Sequence, residues 1–133
     1  MNGFENINEV RDFFKNDVFA TDTTGIEIIE VKDSYAKCVL RVTEAHKNAA
    51  GAVMGGAIFT LADFCCAVAC NKKGALAVSA QSSISYLNTA KGNILFAFTE
   101  MLKDGRRTAC FKVKVTDELN TLVAEYTSVN IKL

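Results

Sequence analysis

Residues 54–70 read MGGAIFTLADFCCAVAC. From Ala57 to Cys70 there are fourteen residues in which Asp63 is the only charge, well short of the roughly 20 apolar residues that span a bilayer. The stretch therefore predicts a buried helix of a soluble protein, with no membrane partner. A helix that is apolar on nearly every side has to be enclosed. In a chain of 133 residues the economical enclosure is a strongly curved sheet wrapped around it. Asn71-Lys72-Lys73-Gly74 predicts the helix end, with lysines in the last turn and a glycine stop.

Working outward, Asn6 to Lys15 sets Ile7, Val10, Phe13 and Phe14 at helical spacing among charged residues, which predicts a short amphipathic helix packed across an opening or edge. Ile26 to Val31 and Tyr35 to Val42 read as paired strands around Lys32-Asp33-Ser34. A polar loop, Thr43 to Val53, leads into the central helix. Four further strand-like runs follow: Ala77 to Leu87, Asn93 to Lys103, Arg107 to Thr116 and Leu122 to Lys132. Lys91-Gly92-Asn93, Asp104-Gly105-Arg106 and Asp117-Glu118-Leu119-Asn120 read as hairpin turns, so these four strands are expected to pair in succession as an antiparallel meander. In the third run Phe111, Val113 and Val115 alternate with Lys112 and Lys114, which fixes an inward face. The class is α+β in one domain, 1–133, with residues 1–20 as an N-terminal helix and lead-in.

Fifteen basic residues balance fifteen acidic ones, which removes the long-range attraction a nucleic-acid partner requires. Five cysteines in uneven positions do not form a disulfide framework, and the N-terminus has no export pattern; the expected compartment is the cytoplasm. His46, the only histidine, is expected to be a solvated loop residue, and no zinc spacing is present. Cys65, Cys66 and Cys70 read as small buried hydrophobes. Lys91, Lys103, Arg106 and Arg107 sit near turns, where they either solvate the surface or meet phosphates.

Asp63 is the residue that demands a chemical explanation. An ionised carboxylate in an apolar helix is costly unless something pairs with it, and the two readings are an aspartate that reaches solvent or backbone, and a general base or nucleophile. The free amides of a helix's first turn suit a developing oxyanion, which makes the Gly55 N–H a candidate donor. Gly55 and Asp63 are eight residues apart, roughly 12 Å along a helix. One copy cannot bring both to one carbonyl; an antiparallel helix from a second copy can, giving two equivalent sites.

The run Asn48-x-x-Gly51-x-x-Met54-Gly55-Gly56-x-x-x-x-Leu61-Ala62-Asp63, with Ser79 and Ile84-Ser85-Tyr86-Leu87 downstream, resembles the hotdog-fold acyl-CoA thioesterases of the phenylacetate-pathway, PaaI-like type. The resemblance runs from about Gly25 to the C-terminus. It implies a long helix wrapped by an antiparallel sheet, dimers formed through the sheets, and often homotetramers. It implies that Asp63 activates water or attacks directly, that Ser79 orients the water, and that Gly55 and Asn48 of the partner subunit polarise the thioester carbonyl. Met54 and Gly56 would border the substrate, and Phe59, Phe64 and Tyr86 would line its acyl group. No metal or redox cofactor is implied, coenzyme A being part of the substrate. Met54 stands where the family typically has a histidine, and Thr89 where it often has proline. The first of these departures keeps open a second reading, an acyl-CoA-binding sensor without turnover.

Overall fold

The alternation along the fifth strand shows how the sheet meets the helix. Ala109, Phe111, Val113 and Val115 are buried, while Lys112 and Lys114 between them remain partly open to solvent. The computed structural model describes all residues, Met1–Leu133. In chain order it contains α1 (Ile7–Phe14), a π-helical turn (Phe19–Thr24), β1 (Glu27–Lys32), β2 (Tyr35–Arg41), a short 3-10 turn (Glu44–His46), α2 (Gly55–Cys70), β3 (Ala77–Tyr86), β4 (Ile94–Asp104), β5 (Thr108–Asp117) and β6 (Leu122–Lys132).

The expected enclosure of α2 is present. All six strands form one antiparallel sheet in the order β1-β2-β4-β5-β6-β3, and α2 contacts every strand. Leu61, Ala62, Cys65 and Ala69 of α2 are wholly buried. The small side chains among them let the helix approach the sheet closely: Cys65 Sγ lies 3.4 Å from the carbonyls of Ala36 on β2 and Ala97 on β4. One stripe of α2 is left uncovered by the sheet: Gly56, Thr60, Asp63, Ala67 and Cys70, at helical spacing. No helix is long and apolar enough to cross a membrane.

The meander is shorter than expected. β4, β5 and β6 are joined by hairpins, but β3 pairs with β6, and β2 takes the place beside β4. Lys91-Gly92-Asn93 is therefore the end of a crossover rather than a hairpin turn. The physical reason lies in Asp117, which is 1 % exposed. Its Oδ2 accepts the N–H groups of Lys91 (2.8 Å) and Gly92 (3.0 Å), and its Oδ1 those of Leu119 (3.0 Å) and Thr121 (2.9 Å). One carboxylate thus ties the crossover onto the β5–β6 hairpin. Glu118 adds bonds to the amides of Asn93 and Ile94. A Cβ on Gly92 would fall 1.7 Å from Glu118 Oε1, so any larger residue there displaces that second carboxylate.

The end of α2 is also built differently. The helix stops at Cys70, and Lys72 and Lys73 lie beyond it. Its last carbonyls are met by amide side chains instead: Asn71 Nδ2 donates to Ala67 O (2.9 Å), and buried Asn2 donates to Ala69 O (2.9 Å) while its Oδ1 accepts Ser34 N–H (2.9 Å). Asn2 thereby fastens the end of α2 to the β1–β2 turn. α1 lies over the same region, with Phe14 meeting Phe64 edge-on at 5.9 Å between ring centroids.

Burial alone would raise the Asp117 carboxyl, but the four amide donors overrule it and hold it well below the ordinary carboxylate range. Because the folded value lies below the unfolded one, this stabilisation is present above the unfolded value of about 3.9 and is lost as pH falls through the folded value. Asp117→Ala is expected to lower the unfolding free energy by about 3 kcal/mol at neutral pH, leaving four amides without their charged acceptor. Urea melts across the acid range check this: the gap between wild type and variant should narrow as the pH drops.

Candidate active site

α2 begins at Gly55 with no side-chain cap, because Met54 offers none. The carbonyl of Met54 accepts the amides of Ala57 (3.0 Å) and Ile58 (3.2 Å), while the amides of Gly55 and Gly56 find no acceptor within the protomer. These free donors, at the positive end of a sixteen-residue helix, form a place for negative charge. The loop before them is held by Asn48, whose Oδ1 accepts Ala50 N–H (3.0 Å) and Ala52 N–H (3.1 Å). Gly51 sits at φ +84, a left-handed backbone that glycine adopts without strain.

Asn48 and Gly55 line one cavity of about 370 Å³, closed on its other side by Tyr86 through Ala90. Tyr86 Oη donates to Gly55 O at 3.0 Å, so this ring packs against the helix entrance and lies apart from Phe59 and Phe64. Asp63, Phe59 and Phe64 line a different cavity, of about 430 Å³, together with Asp17, Phe19 and Ala67. Met54 and Gly56 border a third, of about 480 Å³, with His46, Thr24 and Thr60. Ser79 lies in none of these, and its Oγ donates to Asn130 Oδ1 at 3.2 Å. The nine residues singled out from the sequence are thus dispersed within one protomer. Asp63 and the free Gly55 amide, in particular, face separate spaces.

His46 is not solvated. It is 8 % exposed, its Nδ1 accepts Thr43 N–H at 2.9 Å, and its Nε2 is 2.7 Å from Thr24 O, which assigns the Nε2–H tautomer. Nδ1 caps the start of the 3-10 turn, and Nε2 holds that turn against the end of the π-helical turn. Although His46 shares a cavity with Met54, it has no nitrogen left to do the work of a histidine at position 54.

Asp63 has a partner that no sequence motif announced. Tyr126 Oη donates to Asp63 Oδ1 at 2.7 Å and lies 3.0 Å from Ser82 Oγ. The signal was present in β6, where Tyr126, Ser128 and Asn130 recur at period two and turn polar atoms toward the helix. Ser128 and Asn130 meet Cys66 Sγ at 3.1 and 3.8 Å. Partial desolvation at the cavity wall lifts the Asp17 carboxyl, and the negative charge of Asp63 adds to the rise. Burial pushes the Cys66 thiol up to about 11 and the Cys65 thiol well above its ordinary value.

A family model described as the thioesterase superfamily matches residues 50–124. Escherichia coli acyl-coenzyme A thioesterase PaaI is 30% identical over 112 residues, covering 84% of this chain and 79% of its own length. Human acyl-coenzyme A thioesterase 13 is 31% identical over 96 residues, with 70% and 69% covered. The solved structure of the E. coli PaaI protein superposes with a TM-score of 0.86 at 25% identity, covering 92% of this chain and 89% of that one. A hypothetical thioesterase protein from Streptococcus pneumoniae, solved with coenzyme A, gives 0.82 at 26% identity, with 90% and 96% covered. The chain belongs to the thioesterase superfamily, and within it to the PaaI-like thioester hydrolases of the hotdog fold.

Neutral, buried thiols are poor nucleophiles. A disulfide thiol reagent at about pH 8 is therefore expected to spare Cys38, Cys65 and Cys66 in the folded protein and to modify them only after unfolding, with Cys70 and Cys110 reacting first; mass mapping of the labelled peptides checks this.

Proposed function

We propose that this chain hydrolyses acyl-CoA thioesters at sites shared by two copies, with Asp63 of one subunit activating water and Gly55 of the partner subunit polarising the thioester carbonyl. The observation that carries this is the separation within one protomer. The carboxylate faces one cavity, the unsatisfied amide opens into another, and both belong to the same straight helix. A second helix laid antiparallel beside the first brings each to the other's complement.

The edge strand β3 gives the means of pairing. It is ten residues long, carries no charge from Ala77 to Tyr86, and leaves Val78 and Tyr86 half exposed. Uncharged edges of that length are usually covered in natural proteins. Pairing of two β3 edges about a twofold axis would cover both, and a dimer of dimers would follow the habit of the family.

The reaction uses water, the Asp63 and Asn48 side chains and the Gly55 backbone amide. Asp63 takes a proton as the water oxygen bonds to the carbonyl carbon, and the carbonyl oxygen gains the negative charge. The Gly55 amide, aided by the Asn48 side-chain amide, stabilises that charge. The carbonyl then re-forms as the C–S bond breaks, and the proton held by Asp63 passes to the departing sulfur, leaving free acid, the thiol of coenzyme A and ionised Asp63. The acyl group lies along Phe59 and Phe64, with Met54, Gly56 and Ser79 at the borders of the site. Five unpaired cysteines suit a reducing cytoplasm.

Met54 gives the binding-only reading its foothold, since a thioether cannot donate to an oxyanion as histidine does. A panel of acyl-CoA substrates assayed for thiol release separates the two readings. Wild type should turn over at least one of them, and Asp63→Asn should lose about a thousandfold in kcat while still binding coenzyme A. Binding without turnover by the wild type would establish the sensor instead, and equal turnover by both forms would remove Asp63 from the mechanism.

A further inference from the structure

We propose that Tyr126 is a positioning residue for hydrolysis, fixing Asp63 in the one orientation that leaves Oδ2 for the attacking water. The proposal rests on the Asp63 reading above. Asp63 forms no ion pair, and its Oδ1 receives a single side-chain donor, the Tyr126 hydroxyl at 2.7 Å. A tyrosine hydroxyl has one proton. With that proton given to Asp63, the 3.0 Å contact to Ser82 Oγ must run from Ser82 to Tyr126. Ser82, Tyr126 and Asp63 therefore form a directed chain in which each donor points toward the carboxylate, and such chains reinforce their final bond.

The phenol is anchored as few donors could be. Tyr126 has no exposed surface, and its strand is paired on both sides, with Val113 opposite on β5 and Ile84 opposite on β3. Its ring meets Phe59 edge-on at 5.5 Å. Burial pushes the phenol well above its ordinary range, so it remains a donor wherever Asp63 is ionised. Held this way, the carboxylate cannot turn both oxygens into the apolar cavity, and its Oδ1 is already committed.

The groups facing Asp63 are Tyr126 from β6, Asp17 from the segment after α1, and Cys66 on its own helix. Asp17 is a second carboxyl and Cys66 a thiol engaged with Ser128, which leaves the Tyr126 hydroxyl as the donor that orients Asp63. Removing that hydroxyl leaves the carboxylate free to turn, which lowers turnover without touching the groups that bind substrate.

Tyr126→Phe keeps the ring and removes only the oxygen. In the full chain, with thiol release followed, kcat should fall by about tenfold or more while KM stays within about twofold. In an Asp63→Asn background the same substitution should change nothing, because its effect passes through Asp63. A wild-type kcat in Tyr126→Phe, with Asp63→Asn inactive, would reduce Tyr126 to packing and overturn the proposal alone. Full turnover by Asp63→Asn would overturn the Asp63 reading, and the role of Tyr126 with it. Should Tyr126→Phe melt far below the wild type, Ser82→Ala takes over, since it leaves the ring in place. It should lower kcat by a smaller amount at unchanged KM, and an unchanged kcat would count against the proposal.

Discussion

A carboxylate on an otherwise apolar helix must be met by something, and here the rest of the fold is arranged around how that happens. The sheet covers every face of α2 except the stripe through Gly56, Thr60, Asp63 and Ala67. On that stripe the protomer supplies one donor to Asp63, the Tyr126 hydroxyl, and no cation. The carboxylate therefore lies at the boundary between the core and a cavity, with one oxygen engaged. The opposite need arises at the start of the same helix, where the Gly55 and Gly56 amides lack an acceptor. The helix thus carries an unspent acceptor and unspent donors at different heights, which the reversed copy proposed above would bring together.

The same economy explains the strand order. For β3 to lie at an edge, the chain must leave it, pass the β5–β6 hairpin and enter β4. The crossing is stabilised by one buried carboxylate that collects four amides. Asp117 and Asp63 make an instructive pair. Asp117 is buried with every lone pair engaged by backbone and is structural, whereas Asp63 is only partly buried, has one oxygen engaged and faces a cavity. The count of donors separates the two aspartates.

Much of this was legible in the sequence. Fourteen residues with one charge required an enclosed helix, alternation at Phe111, Val113 and Val115 fixed the inner face of β5, and the eight-residue spacing of Gly55 and Asp63 agrees with the separate cavities that the two residues line. Pairing partners were less legible, because hairpin-like residues at Lys91-Gly92-Asn93 serve equally as the end of a crossover, and only the long-range bonds to Asp117 tell the two apart. His46 was misread as solvated since its two backbone partners, Thr43 and Thr24, are loop residues with no pattern of their own. Tyr126 was missed because a tyrosine in an alternating strand looks like packing until the residue facing it is known to be Asp63.

The shared site is tested most directly by mixing two inactive variants. Asn48→Asp keeps an oxygen for the Ala50 and Ala52 amides but sets a negative charge where the oxyanion should form, and Asp63→Asn removes the base. In a mixed dimer one site inherits both defects and the other inherits neither. Unfolding and refolding the two variants together should restore about a quarter of the wild-type activity, since half of the dimers are mixed and each has one intact site. No recovery from the mixture, with mixed dimers confirmed by mass, would show that Asp63 and Asn48 serve the same chain, and the twofold arrangement would be wrong.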